Sequence, residues 1–336
     1  MNQGGDMVVG GVTVRPGERR SVSLPMADLY TGSSLPMQVH VVRGRRPGPV
    51  LFVSAAIHGD ELNGVEVIRR LLKRRKLASL RGTLLAVPVV NVHGFLALSR
   101  YLPDRRDLNR SFPGSAKGSI ASRMAHTFLT EVVDKADYGI DLHTGAINRS
   151  NLAQVRANVG DPATMALARA FGAPVILNSA LREGSLRSYA AEKGFPLLIY
   201  EAGEALRFDE LSIRAGLQGV LKVMRHIGML PEVAVRESVS PVIAVSTSWV
   251  RAPLSGIVSK KVALGTRVVR NQRLAVVGDP LGNEEKTILT PFDGIVVGRS
   301  NLPLAHEGDA LFNIAGFKSV EKAETRVEDF TATLAD

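Results

Sequence analysis

The sequence predicts an α/β sheet with helices on both faces, followed by a small all-β, barrel-like unit. Three observations carry this reading. Apolar runs such as PVLFVSAAIHG (49–59) and GTLLAVPVVN (82–91) are nearly continuous, as strands covered on both faces require. Segments with apolar residues at helical spacing alternate with them, the grammar of a strand–helix–strand sheet. After Pro231 the pattern changes to short Val- and Ile-rich strands separated by turns, with no helix.

Each element follows in order. Residues 7–47 alternate apolar and polar positions between Pro and Gly turns, as hairpin strands do. The strand at 49–59 leads into NGVEVIRRLLKRRKL, whose apolar residues recur at helical spacing, and then into the strand at 82–91. SIASRMAHTFLTEVVDKA (119–136) reads as helix, YGIDLH (138–143) as strand, MALARAFGA as helix and PVILN (174–178) as strand. SLRSYAAEKG (185–194) is helical, FPLLIYEAG a strand, and ELSIRAGLQGVLKVMRHIGM a long helix ending at 229. In the tail, APLSGIV at 252 recurs as TPFDGIV at 290, and LAVV at 274 is echoed by LFNI at 311. Two similar halves of about 38 residues predict a pseudo-twofold duplication. The expected units are 1–236, 237–320 and a tail at 321–336, with the boundary near 232–246.

Composition narrows the function. The chain has 336 residues and 45% hydrophobic content, enough for a large core and two domains. Cysteine is absent, which excludes disulfides, thiolate nucleophiles and Cys-based metal sites. Any metal must rest on His, Asp and Glu. The net charge of +10 permits nucleic-acid binding, but aromatics are only 5%, and RRLLKRRK at 69–76 reads as a solvated helix face, so no nucleic-acid partner is expected. No leader pattern and no apolar stretch near the roughly 18 residues of a membrane span is found. The expectation is a cytoplasmic protein without a membrane partner, and a homo-oligomer is compatible with the chain.

Ligands of open α/β sheets gather beyond the carboxyl ends of the strands. Four functional side chains fall at such ends: His58 and Glu61 after the first buried strand, His143 in YGIDLH, and Glu201 in PLLIYE. Two imidazoles and one carboxylate form a recurrent catalytic zinc set that leaves a position for water. A lone histidine is more often structural, and His40, His93, His126, His226 and His306 are read that way. The loop SRYLPDRRDLNRSFPG (99–114) gathers Arg100, Arg105, Arg106 and Arg110 with Asp104, Asp107 and Asn109. A guanidinium beside an amide suits a carboxylate, and a further arginine near the metal could stabilise an oxyanion. The bland reading of the same loop is a solvated basic surface.

HGDE, then RDLNR, then DLHTG, then YEAG, in that order along the chain, resemble the succinylglutamate desuccinylase/aspartoacylase family over about residues 45–230. The resemblance implies a zinc-carboxypeptidase-like mixed sheet with helices on both faces and a zinc-dependent deacylase that acts on small N-acyl substrates, with one Zn2+ per chain. It implies His58, Glu61 and His143 as zinc ligands, with Asp107 orienting His58. It implies Asn109 and Arg110 as a clamp on a substrate carboxylate, and Glu201 as the catalytic glutamate, with Glu204 as a nearby competitor. The oxyanion arginine falls to Arg100 or Arg106, since the loop to Asn109 is longer than in mammalian aspartoacylases. The duplicated tail is similar to biotinyl and lipoyl barrels, but Lys286 lacks a Met-Lys or Asp-Lys pair, so no swinging cofactor arm is expected. The competing readings are a zinc carboxypeptidase acting on peptides or cell-wall fragments, and a non-enzymatic binding module with a vestigial zinc site.

Overall fold

The structure is a computed structural model describing residues 6–26, 31–233 and 240–335. β1 (Met7–Val9) and β2 (Val12–Val14) form a hairpin, followed by β3 (Arg19–Leu24), β4 (Met37–Arg43), β5 (Arg46–Ala55), α1 (Asn63–Leu72), β6 (Arg81–Val87), α2 (Val92–Leu96) and α3 (Ile120–Glu131). Then come β7 (Tyr138–Gly145), β8 (Arg149–Ala157), α4 (Pro162–Phe171), β9 (Val175–Asn178), α5 (Leu186–Glu192), β10 (Leu197–Glu204) and α6 (Glu210–His226).

The strands order as β3-β4-β6-β5-β7-β10-β8, with β6, β5, β7 and β10 parallel and β4 and β8 antiparallel to their neighbours. This is a mixed sheet. Helices cover both faces, and the alternation along β5 shows why its sequence is almost continuously apolar. Leu51, Val53 and Ala55 join a core with α1, α4 and α6, while Val50 and Phe52 join one with α3 and α5. From Val50 to Ala55 every side chain is buried, and the one polar residue among them, Ser54, is satisfied by Asp141.

One strand was illegible. β8, with sequence RSNLAQVRA, carries polar residues because Asn151 and Arg156 face a cavity and Gln154 is buried. Neither alternation nor an apolar run marks it.

The C-terminal unit contains β11 (Val242–Ala244), β12 (Ser246–Arg251), β13 (Gly256–Ser259), β14 (Arg267–Val268), β15 (Arg273–Gly278), β16 (Glu285–Leu289), β17 (Gly294–Ser300), β18 (Leu304–Ala305), β19 (Ala310–Gly316) and α7 (Val320–Ala335). The sequence echo maps onto paired strands, β13 with β15 and β17 with β19. Each half lends a short strand to the other: β14 pairs with β17, and β18 with β13. Lys286 lies on β16, paired in register with Val277, and its ammonium is 3.2 Å from Glu284.

The unit is not appended loosely. β11 extends the sheet beside β9, and β17 pairs with β8 through Gly298 opposite Asn151 and Ser300 opposite Arg149. A shared core of Val175, Leu177, Ala244, Ile295, Val297, Ala315, Ala323 and Val327 fills the joint. The last two belong to α7, which corrects the expectation of a helix-free end with a tail at 321–336. Its apolar residues Val320, Ala323, Val327, Phe330 and Leu334 recur at helical spacing, a signal present in the sequence that the reading passed over. The expected division between 236 and 237 lies outside the described residues. No helix among the described residues is long and apolar enough to cross a membrane.

Candidate active site

Parallel β5, β7 and β10 deliver the polar cluster from adjacent carboxyl ends. Ala55 sits opposite Leu142, and His143 opposite Glu201. Beyond β5 the chain turns out of the sheet at Ala56, whose φ of 50° is in the left-handed region, and the Ala56 carbonyl accepts from Asn91 N at 2.9 Å. Gly59 then passes so close to α2 that a Cβ there would lie 2.0 Å from the Gly94 carbonyl carbon. The turn closes with Glu61 N donating to the His58 carbonyl at 3.1 Å, which brings both side chains to one point.

His58, Glu61 and His143 are all buried, and their ligand atoms lie within 4.8 Å of one another. Each imidazole turns Nδ1 toward Glu61, at 2.7 Å from His58 and 2.8 Å from His143. Behind them, His58 Nε2 is 3.2 Å from Asp107 and His143 Nε2 is 2.6 Å from Asp141. A carboxylate on the far nitrogen fixes the imidazole tautomer and leaves the near nitrogen free to ligate. The donor set fits a divalent metal ion. Asp141 is fully buried and also accepts from Ser54 Oγ at 2.8 Å.

Electrostatics agree with this geometry. Burial disfavours the charge on Glu61, but the two imidazoles more than offset it and hold the carboxyl well below its usual range. Burial likewise opposes charge on His143, and Asp141 and Glu61 outweigh it and push the imidazole well up. His58 is raised in the same way, by Glu61 and Asp107 against burial. The metal-free site therefore stores protons on the nitrogens a metal would take.

The arginine loop divides. Arg100 donates from Nη2 to Asp107 at 3.0 Å, with Nη1 3.5 Å from Glu61, and lines the cavity beside the metal-site residues. Arg106 does not line it, and its largely exposed guanidinium is 3.9 Å from Asp104. Arg106, the alternative to Arg100 in the sequence reading, thus stands away from the cavity wall. The physical reason is the turn at Arg105, whose φ of 62° carries the following guanidinium outward. Asn109 is buried on the cavity wall, and its Oδ1 accepts from Leu186 N at 3.0 Å, so Nδ2 is the group left for a ligand. Arg110 lies beside it at the rim and donates to the Asn109 carbonyl.

Glu201 is held by two donors on Oε2 and by the Arg156 charge beside Oε1. Asn151 Nδ2 reaches Oε2 at 2.6 Å, Arg156 Nη2 the same oxygen at 3.0 Å, and Arg156 Nε lies 2.9 Å from Oε1. Glu204 is instead bound by Asn301 Nδ2 at 2.6 Å and does not line the cavity. Asp60 is also absent from the wall. Burial, then Glu61, pushes its carboxyl up.

The cavity has a volume of about 450 Å³. Several of its residues escaped the sequence reading. Arg187, on α5, is buried, donates from Nη2 to the carbonyls of Ser179 and Ala180, and has no partner for Nη1. Burial, then the neighbouring Arg156, lowers its pKa to about 10. Thr247, Trp249 and Asn313 close one side from the C-terminal unit. Only Asp141 had a readable signal, since in the strand YGIDLH it lies two residues before His143 and so on the same face.

Comparisons with known proteins agree with the site. The succinylglutamate desuccinylase/aspartoacylase catalytic-domain model matches residues 47–227. The N-alpha-acetyl-L-2,4-diaminobutyric acid deacetylase of Halomonas elongata is 27% identical over 308 residues, 88% of this chain and 90% of that protein. The product-bound ectoine utilization protein EutE (DoeB) of Ruegeria pomeroyi superposes with a TM-score of 0.81 at 25% identity, covering 90% of this chain and 96% of that one. A succinylglutamate desuccinylase/aspartoacylase from Rhodobacter sphaeroides gives 0.79 at 25% identity, with 90% and 97% covered. With the family's catalytic model spanning more than half of its length, the chain belongs to the succinylglutamate desuccinylase/aspartoacylase family and is an amide-bond hydrolase.

Proposed function

We propose that the chain is a zinc-dependent deacylase that removes the acyl group from an N-acyl amino acid bearing a carboxylate. The single observation that carries this is the convergence of His58, Glu61 and His143 beside Glu201 on the wall of one arginine-lined cavity. Zinc held by the two Nδ1 atoms and the Glu61 carboxylate supplies a Lewis acid and lowers the pKa of water to about 7.

The chain's own groups supply the rest. Glu201 takes a proton from the attacking water and returns it to the departing nitrogen, a role contributing roughly 10²- to 10⁴-fold. Arg156 and Asn151 fix the direction of its carboxylate. Arg100, positive and next to Glu61, stabilises the oxyanion that develops on the carbonyl. Asn109 Nδ2 and Arg110 bind the substrate carboxylate, and the unpartnered Nη1 of Arg187 supplies another donor.

The Halomonas relative is named for a substrate whose product carries a second amine. Among the described residues the only carboxylates on the cavity wall are Glu61 and Glu201, and both are already engaged. An extra ammonium finds no partner, so an anionic or neutral side chain is favoured.

The test is hydrolysis of N-acetylaspartate, N-succinylglutamate, Nα-acetyl-2,4-diaminobutyrate and a dipeptide by zinc-loaded protein. Glu201→Gln is expected to lower the rate by roughly 10²- to 10⁴-fold with zinc content unchanged. Zinc-dependent hydrolysis that survives Glu201→Gln, or cleavage of the dipeptide alone, would overturn the proposal.

A further inference from the structure

Arg149 differs from the cavity's other interior arginines. Arg100 is engaged by Asp107 and Glu61, Arg156 by Glu201, and Arg187 by two carbonyls. Arg149 opens β8, and its guanidinium carbon lies 5.2 Å from the centroid of the Trp249 ring. Its guanidinium makes no hydrogen bond or ion pair among the described residues, and the cavity's two carboxylates are committed elsewhere. It is thus a wall cation that no group among the described residues neutralises.

Stacking on an indole does not neutralise an arginine. A guanidinium over an indole face keeps its N–H groups available to meet a carboxylate with two parallel bonds. The indole is itself fixed, because Trp249 on β12 is paired in register with Asn313 on β19. Asn313 is buried and lines the same cavity; its Oδ1 has no hydrogen-bond partner, and its Nδ2 is the group that could donate to an anion. Arg149 is anchored from the same side, opposite Ser300 of β17. The Asn109/Arg110 clamp comes instead from the loop before α3 and the start of α5.

We propose that Arg149, seated over Trp249 with Asn313 on the adjoining strand, forms a second anion subsite, so that the preferred substrate carries a further carboxylate besides the one at the clamp. The inference rests on the deacylase reading for its substrate, but the subsite itself can be tested without turnover. Trp249 is the only tryptophan of the chain, so its emission reports binding at this position alone.

The experiment titrates zinc-loaded protein with glutarate and with pentanoate, an equally long monocarboxylate, following tryptophan fluorescence. Hydrolysis of N-succinylglutamate and of N-acetylglycine is measured in parallel. Glutarate is expected to shift the emission saturably and pentanoate much more weakly. Arg149→Gln should weaken the glutarate response and lower the preference for N-succinylglutamate over N-acetylglycine by roughly 10- to 100-fold. Arg149→Lys, which retains charge but not the fork, should recover part of both. Equal responses to the two acids, or a glutarate response and substrate preference unchanged in both variants, would overturn the subsite. A dicarboxylate-specific shift lost in Arg149→Gln, with no hydrolysis of either amide, would instead retain the subsite and defeat the deacylase reading. Should Arg149→Gln fail to fold, Arg149→Lys in the same titration decides.

Discussion

Asp141→Asn is the sharpest perturbation of the metal site, because it removes a charge and almost no volume. Asp141 is fully buried, 2.6 Å from His143 Nε2 and 2.8 Å from Ser54 Oγ. An asparagine can present its carbonyl to the imidazole and its NH2 to Ser54, whose hydroxyl rotates to accept, so no buried group is left unpaired. What disappears is the carboxylate that makes the far imidazole nitrogen a strong donor and the near one a better ligand. Losing such a partner costs about 10- to 100-fold in metal affinity. At 1.36 kcal/mol per decade this is roughly 1.4 to 2.7 kcal/mol. Asp107→Asn should cost less, since Asp107 is more exposed, sits at 3.2 Å from His58 and shares its other oxygen with Arg100. The assay is zinc titration against a chromophoric chelator, with circular dichroism of both metal-free variants to verify the fold. Affinity of Asp141→Asn within threefold of the parent, or a larger loss in Asp107→Asn, would refute the reasoning.

Three further outcomes follow from the geometry. Because the metal-free protein holds His58 and His143 above the ordinary histidine pKa, protons compete with the metal; affinity should rise with pH through and beyond that range, with protons released on binding. Calorimetry in buffers of different ionisation enthalpy measures the release, and a flat pH dependence would contradict it. The stability that the raised pKa values give the metal-free protein is present at low pH and lost as pH rises through them, so thermal stabilisation by zinc should be greatest at high pH. Gly59→Ala should destabilise by about 3 kcal/mol or more and abolish tight zinc binding, since the new Cβ meets backbone atoms of Gly94 and Phe95 at 2.0 and 2.1 Å; an unaltered denaturation midpoint would count against this packing. Arg156→Gln leaves Glu201 to Asn151 alone, and kcat should fall roughly 10- to 100-fold while zinc affinity holds; an unchanged kcat would remove Arg156 from the machinery.

The sequence made the convergence legible where each residue is tied to a strand end. His58 and Glu61 follow β5, His143 closes β7, and Glu201 lies on β10, so the rule about carboxyl ends brought them together. The longer helices and the parallel strands of the first 230 residues were legible for the same reason, as their apolar runs and helical stripes are regular, whereas the five-residue α2 is too short to show a period. What could not be read came from sheet order. Arg156, Asn151 and Arg149 lie on β8, a strand whose cavity-facing positions are polar and which pairs antiparallel to β10. Trp249 and Asn313 come from the far unit, and no local signal links position 249 to position 58. The different placements of Arg106 and Arg100 follow from a backbone turn that residue types do not encode.

β8 has one edge on β10, while its other edge is shared between β9 and β17. Without the C-terminal unit, the strand that carries Arg149 and the groups holding Glu201 would therefore have a free border at 149–151. Grafting that unit from a relative with a different acyl preference would change more than a lid, because the incoming edge would reset the register at Asn151 and with it the aim of Glu201. In this architecture selectivity and rate are expected to drift together, and chimeras joined near 240 should lose turnover even where they keep zinc.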